Sequence, residues 1–368
     1  SWSKHWQPAS VSSHLVAASF MQLWQFAQKD PLSSIGPTTD SQFTHDCKKY
    51  SKESIGSDMW RSKQELYKLP DIARGNIVDA INVSRKSLAL PHQQLCNLNG
   101  ILGKTNGTRT ICKTPMLWRL HGKGSTQVKQ WEEEHRESYD TAGRGSSALT
   151  AALIRNLLSE IAVILGMHAG TLFNDFEKFF DKLNIEALIA NAIVLNFPLG
   201  ELALCIAQHT APRVIQSIGA CSEPVEVFNS ILAGCTFSIA LTRAYLMAEF
   251  KQLIINNPDA KISTFVDDAP ILATGKKYDV FSTLVQAGLE FKEITSKLFL
   301  VLSGKAEIVC SCPLLAKRVA NVLKTHGIHF KISIMAKDLG VAYTAGISSN
   351  KASSIIKKNA LITISQKW

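Results

Sequence analysis

Apolar residues recur at helical spacing along 13–29 and 62–83, and the link between them, Asp30-Pro31-Leu32-Ser33-Ser34-Ile35-Gly36-Pro37, is rich in turn formers. From 98 the pattern shortens. Residues 98–104 read as a strand, Thr105-Asn106-Gly107-Thr108 as a hairpin turn with Asn-Gly at its centre, and 109–112 as the return strand. Lys104 and Arg109 therefore flank a tight turn. A charged segment runs to Asp140, and a small flexible stretch, 143–147, opens an apolar-periodic helix over 148–165.

Beyond that helix, short apolar runs alternate with helical ones. Residues 171–174 read as a strand that stops at Asp175. Asn184 caps a helix that stops before Pro198, and a second helix covers 199–209. Strands are expected at 213–218 and 225–231, then a helix from 238 to 254. A hairpin follows, 261–266 and 269–274, with Asp267-Asp268 as its turn. A helix over 279–288, a strand at 298–302, a helix over 313–325 and a strand at 328–334 complete the pattern. The β-α-β-β-α-β order from 171 to 302 is that of a ferredoxin-like split βαβ sheet. The fold class this predicts is α+β.

The chain has 368 residues, 46% of them apolar, enough for a substantial core. Its most apolar stretch, 187–207, is broken by Asn191, Asn196, Pro198 and Glu201, so no membrane span is expected. The start, Ser1-Trp2-Ser3-Lys4-His5, has neither an initiator Met nor a signal-peptide pattern, and the chain reads as a piece of something longer. Net charge is +10, and from Lys292 onward twelve Lys or Arg face three acids, which suits a polyanionic partner as well as a solvated surface. The eight cysteines are scattered with no C-x-x-C pair, as in reduced intracellular proteins, with nuclear or cytoplasmic placement expected. Cys310-Ser311-Cys312 and His326-Gly327-Ile328-His329 have ligand-type side chains but no partner pairs.

The chemistry lies in two acidic stops. Phe173-Asn174-Asp175-Phe176-Glu177-Lys178 and Thr264-Phe265-Val266-Asp267-Asp268-Ala269 each end an apolar run in carboxylates, and carboxylates at the ends of neighbouring strands can converge on a pair of divalent ions. Around them the order of motifs over 95–346 resembles the reverse transcriptases of non-LTR retrotransposons and group II introns. Asp175-Phe176-Glu177-Lys178-Phe179-Phe180-Asp181 is similar to the family's first catalytic motif. Phe265-Val266-Asp267-Asp268 is similar to its aromatic-x-Asp-Asp box. Ser230-Ile231-Leu232-Ala233-Gly234-Cys235-Thr236-Phe237-Ser238 resembles its G-x-x-Q-G-x-x-x-S motif, with Ser230 for the first Gly and Ala233 for the Gln. Residues 102–111 resemble the fingers motif K-x-x-G-x-x-R-P-I, with Thr110 where Pro is usual. Asp338-Leu339-Gly340 resembles the turn that grips the primer.

The resemblance implies a right-hand polymerase: an N-terminal helical extension over 1–90, fingers over 91–165, a palm over 166–310, and the palm end with a partial basic thumb over 311–368. It implies an RNA-directed DNA polymerase that adds deoxynucleotides to a primer 3′-hydroxyl with two Mg²⁺ ions. RNA template, DNA primer and dNTP would be the partners, and oligomeric state is left open. Asp175, Asp267 and Asp268 would be the catalytic acids. Asp175, Asp267 and the Phe176 carbonyl would be metal ligands. Lys104, Arg109, Phe180, Gly234 and Lys297 would serve the nucleotide, with Lys305 a second choice for the leaving-group lysine. Arg144, Ser238, Leu339 and Gly340 would serve template and primer. The altered Ser230 and Ala233 leave an alternative: a decayed relative that binds nucleic acid without copying it.

Overall fold

A computed structural model describes residues 3–104, 107–143 and 145–347. Arg144, expected at the template, lies outside them. The fold class is α+β. The strands, in chain order, are β1 (Asn97–Lys104), β2 (Gly107–Lys113), β3 (His168–Asn174), β4 (Arg213–Ser217), β5 (Ala220–Cys221), β6 (Ala260–Ile262), β7 (Ala269–Gly275), β8 (Glu307–Cys310), β9 (Lys331–Ile332), β10 (Ala336–Asp338) and β11 (Val341–Tyr343). The chain divides into two compact units, each built from two stretches: 1–135 with 180–245, and 136–179 with 246–368.

In the first unit a four-stranded sheet runs β2-β1-β4-β5. β1 pairs antiparallel with β2, up to Lys104 opposite Gly107, and parallel with β4. Helices Asp40–Lys49 and Asp71–Ser87 share one core with helix Met116–Gly124, built on Phe43, Cys47, Tyr50, Leu66, Val78, Met116 and Leu120. Expected helix 62–83 begins at Asp71 instead, because Pro70 at its N-cap blocks an earlier start. Trp6, far away in sequence, is fully buried here. Its indole donates to Asp181 Oδ1 at 2.8 Å, its ring lies 4.6 Å beneath the Arg213 guanidinium, and its carbonyl accepts from the Phe228 and Asn229 amides.

In the second unit the sheet order is β6-β7-β3-β8-β9. β3 is antiparallel to both β7 and β8, and β6 to β7. Helix Lys277–Lys297 connects β7 to β8, which are parallel to each other with β3 between them. The same holds for β3 and β6, with β7 between. Taken in chain order as first to fourth, β3, β6, β7 and β8 lie 4-1-3-2 across the sheet, the ferredoxin-like arrangement expected from the sequence.

Several of its parts lie elsewhere than expected. The 213–218 strand, observed as Arg213–Ser217, pairs with β1 in the other sheet. Residues 225–231 form no strand beyond a bridge from Val225 to Arg213. The fourth strand is Glu307–Cys310, not 298–302. That apolar run instead ends the longer helix Lys277–Lys297, where Phe299 takes a left-handed φ of +55° and the amides of Phe299 and Leu300 bond back to Ser296 and Thr295. Leu298 and Leu300 are buried without a ladder, while Phe299 and Val301 are exposed. Only Lys331–Ile332 of 328–334 is strand.

Helix Ala148–Ile164 packs on this sheet with an unexpected face. Its buried residues are Ala151, Ala152, Arg155, Ser159 and Ala162, while Leu149, Leu153, Ile154, Leu157 and Ile161 are exposed. The small inward side chains let the helix approach β3 closely. All eight cysteines are free, and no helix among the described residues is long and apolar enough to cross a membrane.

Candidate active site

The β3–β7 register sets the geometry. Its last pair is Asn174 opposite Ala269, so the next position outward sets Asp175 across from Asp268. Directly opposite residues in an antiparallel pair have Cα atoms roughly 4.5–5.5 Å apart. The two acidic stops, separated in sequence, thus meet at one edge of the sheet. Asp175 and Asp268 line a cleft of about 320 Å³ together with Asn174, Lys305, Asp338 and Leu339.

The acidic hairpin turns one residue earlier than its sequence implied. Phe265 and Asp268 exchange both backbone hydrogen bonds, at 2.8 and 3.1 Å, so the turn residues are Val266 and Asp267, and Asp268 begins the return strand. Val266 has φ +60°, the left-handed region, while Asp267 does not. That is the type II′ pattern, whose first turn position favours Gly. A β-branched residue there is strained by roughly 1–3 kcal/mol and persists because the surrounding structure holds it. Part of that hold comes from 139–141: the Thr264 amide donates to the Tyr139 carbonyl, and Thr141 donates back to Thr264 from both its amide and its hydroxyl.

Carboxylates crowd the cleft, faced by Lys305, Lys337 and the Arg155 that pairs with Asp338. The Asp268 carboxyl is pushed up to about 7 by burial first, then by the negative charges of Asp267, Asp175 and Asp338, with Arg155 opposing. Asn174 donates to the Ala269 carbonyl, but its Oδ1 is buried with no partner. Crowded carboxylates and an orphaned oxygen acceptor are the hard donor set that Mg²⁺ prefers. Among the described residues no three His, Cys, Asp or Glu side chains are already drawn into a ligand cage.

Phe176 is buried against Phe291 and Phe179. It bridges Leu302 through the Glu177 amide to Val301 and the Ser303 amide to Asp175. This is a non-hydrogen-bonded pair, so the bridge does not use the Phe176 carbonyl. Lys297 is not at the cleft: it ends helix Lys277–Lys297 and pairs with Glu249 at 3.5 Å. Lys305, the second choice, lines the cleft. Leu339 (φ +47°) and Gly340 (φ +94°) form the turn joining β10 to β11, and Leu339 reaches the cleft as well.

The remaining sequence-derived residues belong to the first unit. Arg109 is exposed on β2, opposite Leu102. The Phe180 carbonyl accepts from Ile231. Gly234 has φ +98°, and an added Cβ would stand 3.3 Å from the Cys112 carbonyl. Ser238 turns inward, donating to the Leu232 carbonyl at 2.6 Å, and so holds the 232–238 loop closed. Ser230 takes φ +110°, a glycine conformation, which explains why the motif has Gly there. Its hydroxyl accepts from the Arg213 guanidinium at 2.9 Å, which offsets the strain.

One feature of this unit was not foreseen. Gly234 lines a cleft of about 990 Å³ whose charged lining residues are Lys49, Lys52, Lys113, Arg119, Lys123 and Lys129, all cations. Lys123 is held below its usual range, mainly by burial and partly by repulsion from Lys49 and Lys129, against the pull of Asp46. Arg119 Nη2 is buried without a partner. Exposed Leu102, Ile218 and Ile239 supply apolar wall.

No protein-family model matches the chain, and no curated protein matches it either. Among solved structures it is similar to apo telomerase from Candida tropicalis truncated from its C-terminal domain, at 13% identity and TM-score 0.44 over 61% of this chain and 51% of that one. It is similar also to the telomerase of Candida tropicalis in complex with a TWJ fragment of telomeric RNA, at 13% identity and TM-score 0.43 over 65% and 45%. The chain thus spans about half the length of those telomerase chains. Likeness of this degree carries no functional argument.

Proposed function

We propose that the protein is a template-directed nucleotidyltransferase, an RNA-directed DNA polymerase of right-hand type with its palm on the 4-1-3-2 sheet. The observation that carries this reading is the meeting of Asp175 with the Asp267–Asp268 hairpin at one sheet edge, beside a cleft crowded with carboxylates. Asp175, Asp267 and the Phe176 carbonyl would hold two Mg²⁺ ions, which when bound lower the pKa of a primer hydroxyl and stabilise charge on the leaving pyrophosphate. Asp268 supports the pair from the return strand. Lys305, not Lys297, stands where a cation could neutralise the leaving group, and Leu339 where a primer end could rest. In the first unit, Lys104 and Arg109 flank the fingers turn. Phe180 would exclude a 2′-hydroxyl, and Gly234 would let backbone approach the templated pair. The test is extension of a DNA primer on an RNA template with Mg²⁺. Dependence on both template and metal supports the reading, whereas tight binding without extension would leave only the nucleic-acid-binding alternative.

The cationic cleft supports a nucleic-acid partner independently of catalysis. Lys49, Lys52 and Lys129 are exposed, so Lys49→Glu, Lys52→Glu and Lys129→Glu together should spare the fold. Single-stranded RNA affinity should fall more than tenfold, and the slope of log K against log[salt] should shrink by about 2 for three lost phosphate contacts. An unchanged slope in a fluorescence-anisotropy titration would remove this cleft from the binding path.

A further inference from the structure

Arg155 is buried on the inward face of helix Ala148–Ile164 and was no part of any motif. Its guanidinium donates to both carboxylate oxygens of Asp338, Nε to Oδ2 at 2.8 Å and Nη2 to Oδ1 at 2.6 Å, while Nη1 donates to Ser263 Oγ at 2.8 Å. Its two partners stand on different elements. Ser263 lies two residues before Phe265, whose pairing with Asp268 closes the acidic hairpin, and its own amide bonds across to the Pro270 carbonyl. Asp338 immediately precedes the Leu339–Gly340 turn. One turn further along the helix, Ser159 and Tyr343 share a hydrogen bond at 2.7 Å, and the Tyr343 hydroxyl is 2.6 Å from Thr171 Oγ1 on β3, the strand that ends at Asp175. Arg155, Asp338, Ser159, Tyr343 and Thr171 are all buried.

We propose that Arg155 is a positioning residue that fixes the Asp267–Asp268 hairpin against the Leu339–Gly340 turn across the cleft they border, with Ser159 and Tyr343 tying the same ribbon to the Asp175 strand. A bidentate fork suits this task because it sets orientation as well as distance, which a lysine cannot do. The hairpin needs such a tie: its turn holds a strained Val266 and crowded carboxylates, both of which favour opening. The proposal rests on the nucleotidyl-transfer reading for what the alignment achieves, but the tie itself is tested without any activity.

The experiment compares the full chain with Ser263→Ala, Arg155→Lys and the double variant Arg155→Met/Asp338→Leu. Arg155→Met alone strands a buried Asp338 and endangers folding, whereas replacing both partners with apolar side chains commonly restores stability. Hydrogen exchange is read at the Phe265 and Asp268 amides, which close the hairpin. The expected result is exchange at least tenfold faster in the double variant at wild-type Tm, and a smaller increase in Ser263→Ala and Arg155→Lys. In primer extension, kcat should fall at least tenfold with KM for dNTP nearly unchanged. Wild-type exchange at both amides in all three variants would overturn the proposal, as would full kcat in the double variant. A wild type that extends no primer, combined with the expected exchange pattern, would sink the polymerase reading and leave the tie standing.

Discussion

Asp267→Asn removes primer extension and, at the same time, makes the protein more stable at pH 8. The loss should be three to four orders of magnitude in rate, about 4–5.5 kcal/mol of transition-state stabilisation, since one ligand to both proposed ions is gone. The gain follows from Asp268. Its folded carboxyl titrates near 7, far above the ordinary carboxylate value, with burial the main cause and Asp267 the next. Between about pH 4 and pH 7 the folded protein keeps a proton that the unfolded chain has lost, so stability falls as pH rises through that window, and the penalty is complete above 7. Neutralising Asp267 removes one source of that penalty. Tm should therefore rise by a few degrees at pH 8 and not change at pH 4. Single-stranded RNA binding should be unaltered, because the cationic cleft belongs to the other unit. A variant that still extends primers, or one whose Tm falls equally at both pH values, would show that Asp267 is not part of a crowded metal-binding set. Asp175→Asn should behave alike in extension.

Trp6→Ala should cost about 3–5 kcal/mol, the range for truncating a fully buried large aromatic. The expectation sits at the upper end because the indole does three things at once. It fills the core of the first unit, donates to Asp181, and lies under the Arg213 guanidinium, which burial holds down at about 10. Arg213 would keep its bonds to Ser230 and the His209 carbonyl but lose its stacking surface, and its Nε already lacks a partner. Against a total stability of roughly 5–15 kcal/mol this is a large fraction. Trp6→Phe, which keeps the stack and loses only the hydrogen bond, should cost about 1 kcal/mol. Chemical denaturation distinguishes them: a Trp6→Ala loss under 1 kcal/mol would mean the N-terminal segment is dispensable to this fold.

The sequence was most informative where one local pattern had one physical outcome. Helices Ser13–Lys29 and Pro313–Thr325 have the bounds their periodicity predicts, and Asn184 caps its helix through its side chain to the Ala187 amide. The β6–β7 hairpin was legible because two apolar runs flank an acidic pair, although the turn falls one residue earlier, at Val266-Asp267. Pairing between distant segments was not. β4 reads locally as a strand, but nothing in 213–218 says that it runs parallel to β1, more than a hundred residues earlier. The run 298–302 reads locally as a strand, but it follows a helix cap that buries Leu298 and Leu300 and leaves Phe299 and Val301 exposed. Helix Ala148–Ile164 inverts the usual pattern: alanines and Arg155 face in and leucines out, so apolar periodicity located the helix without identifying its buried face. The acids of the candidate site were legible because their chemistry is unusual at strand ends. The cations of the first-unit cleft were not, because Lys49 and Lys52 come to line it only where the chain packs beside β1, β2 and Gly234.

Binding of a divalent ion by the bare protein tests the central claim most directly. In a Mn²⁺ titration followed by electron paramagnetic resonance, the wild-type chain should take up ion saturably at millimolar or lower concentration, and Asp175→Asn and Asp267→Asn should each abolish that uptake while melting at no lower temperature than wild type. Equal uptake by wild type and both variants would contradict the account.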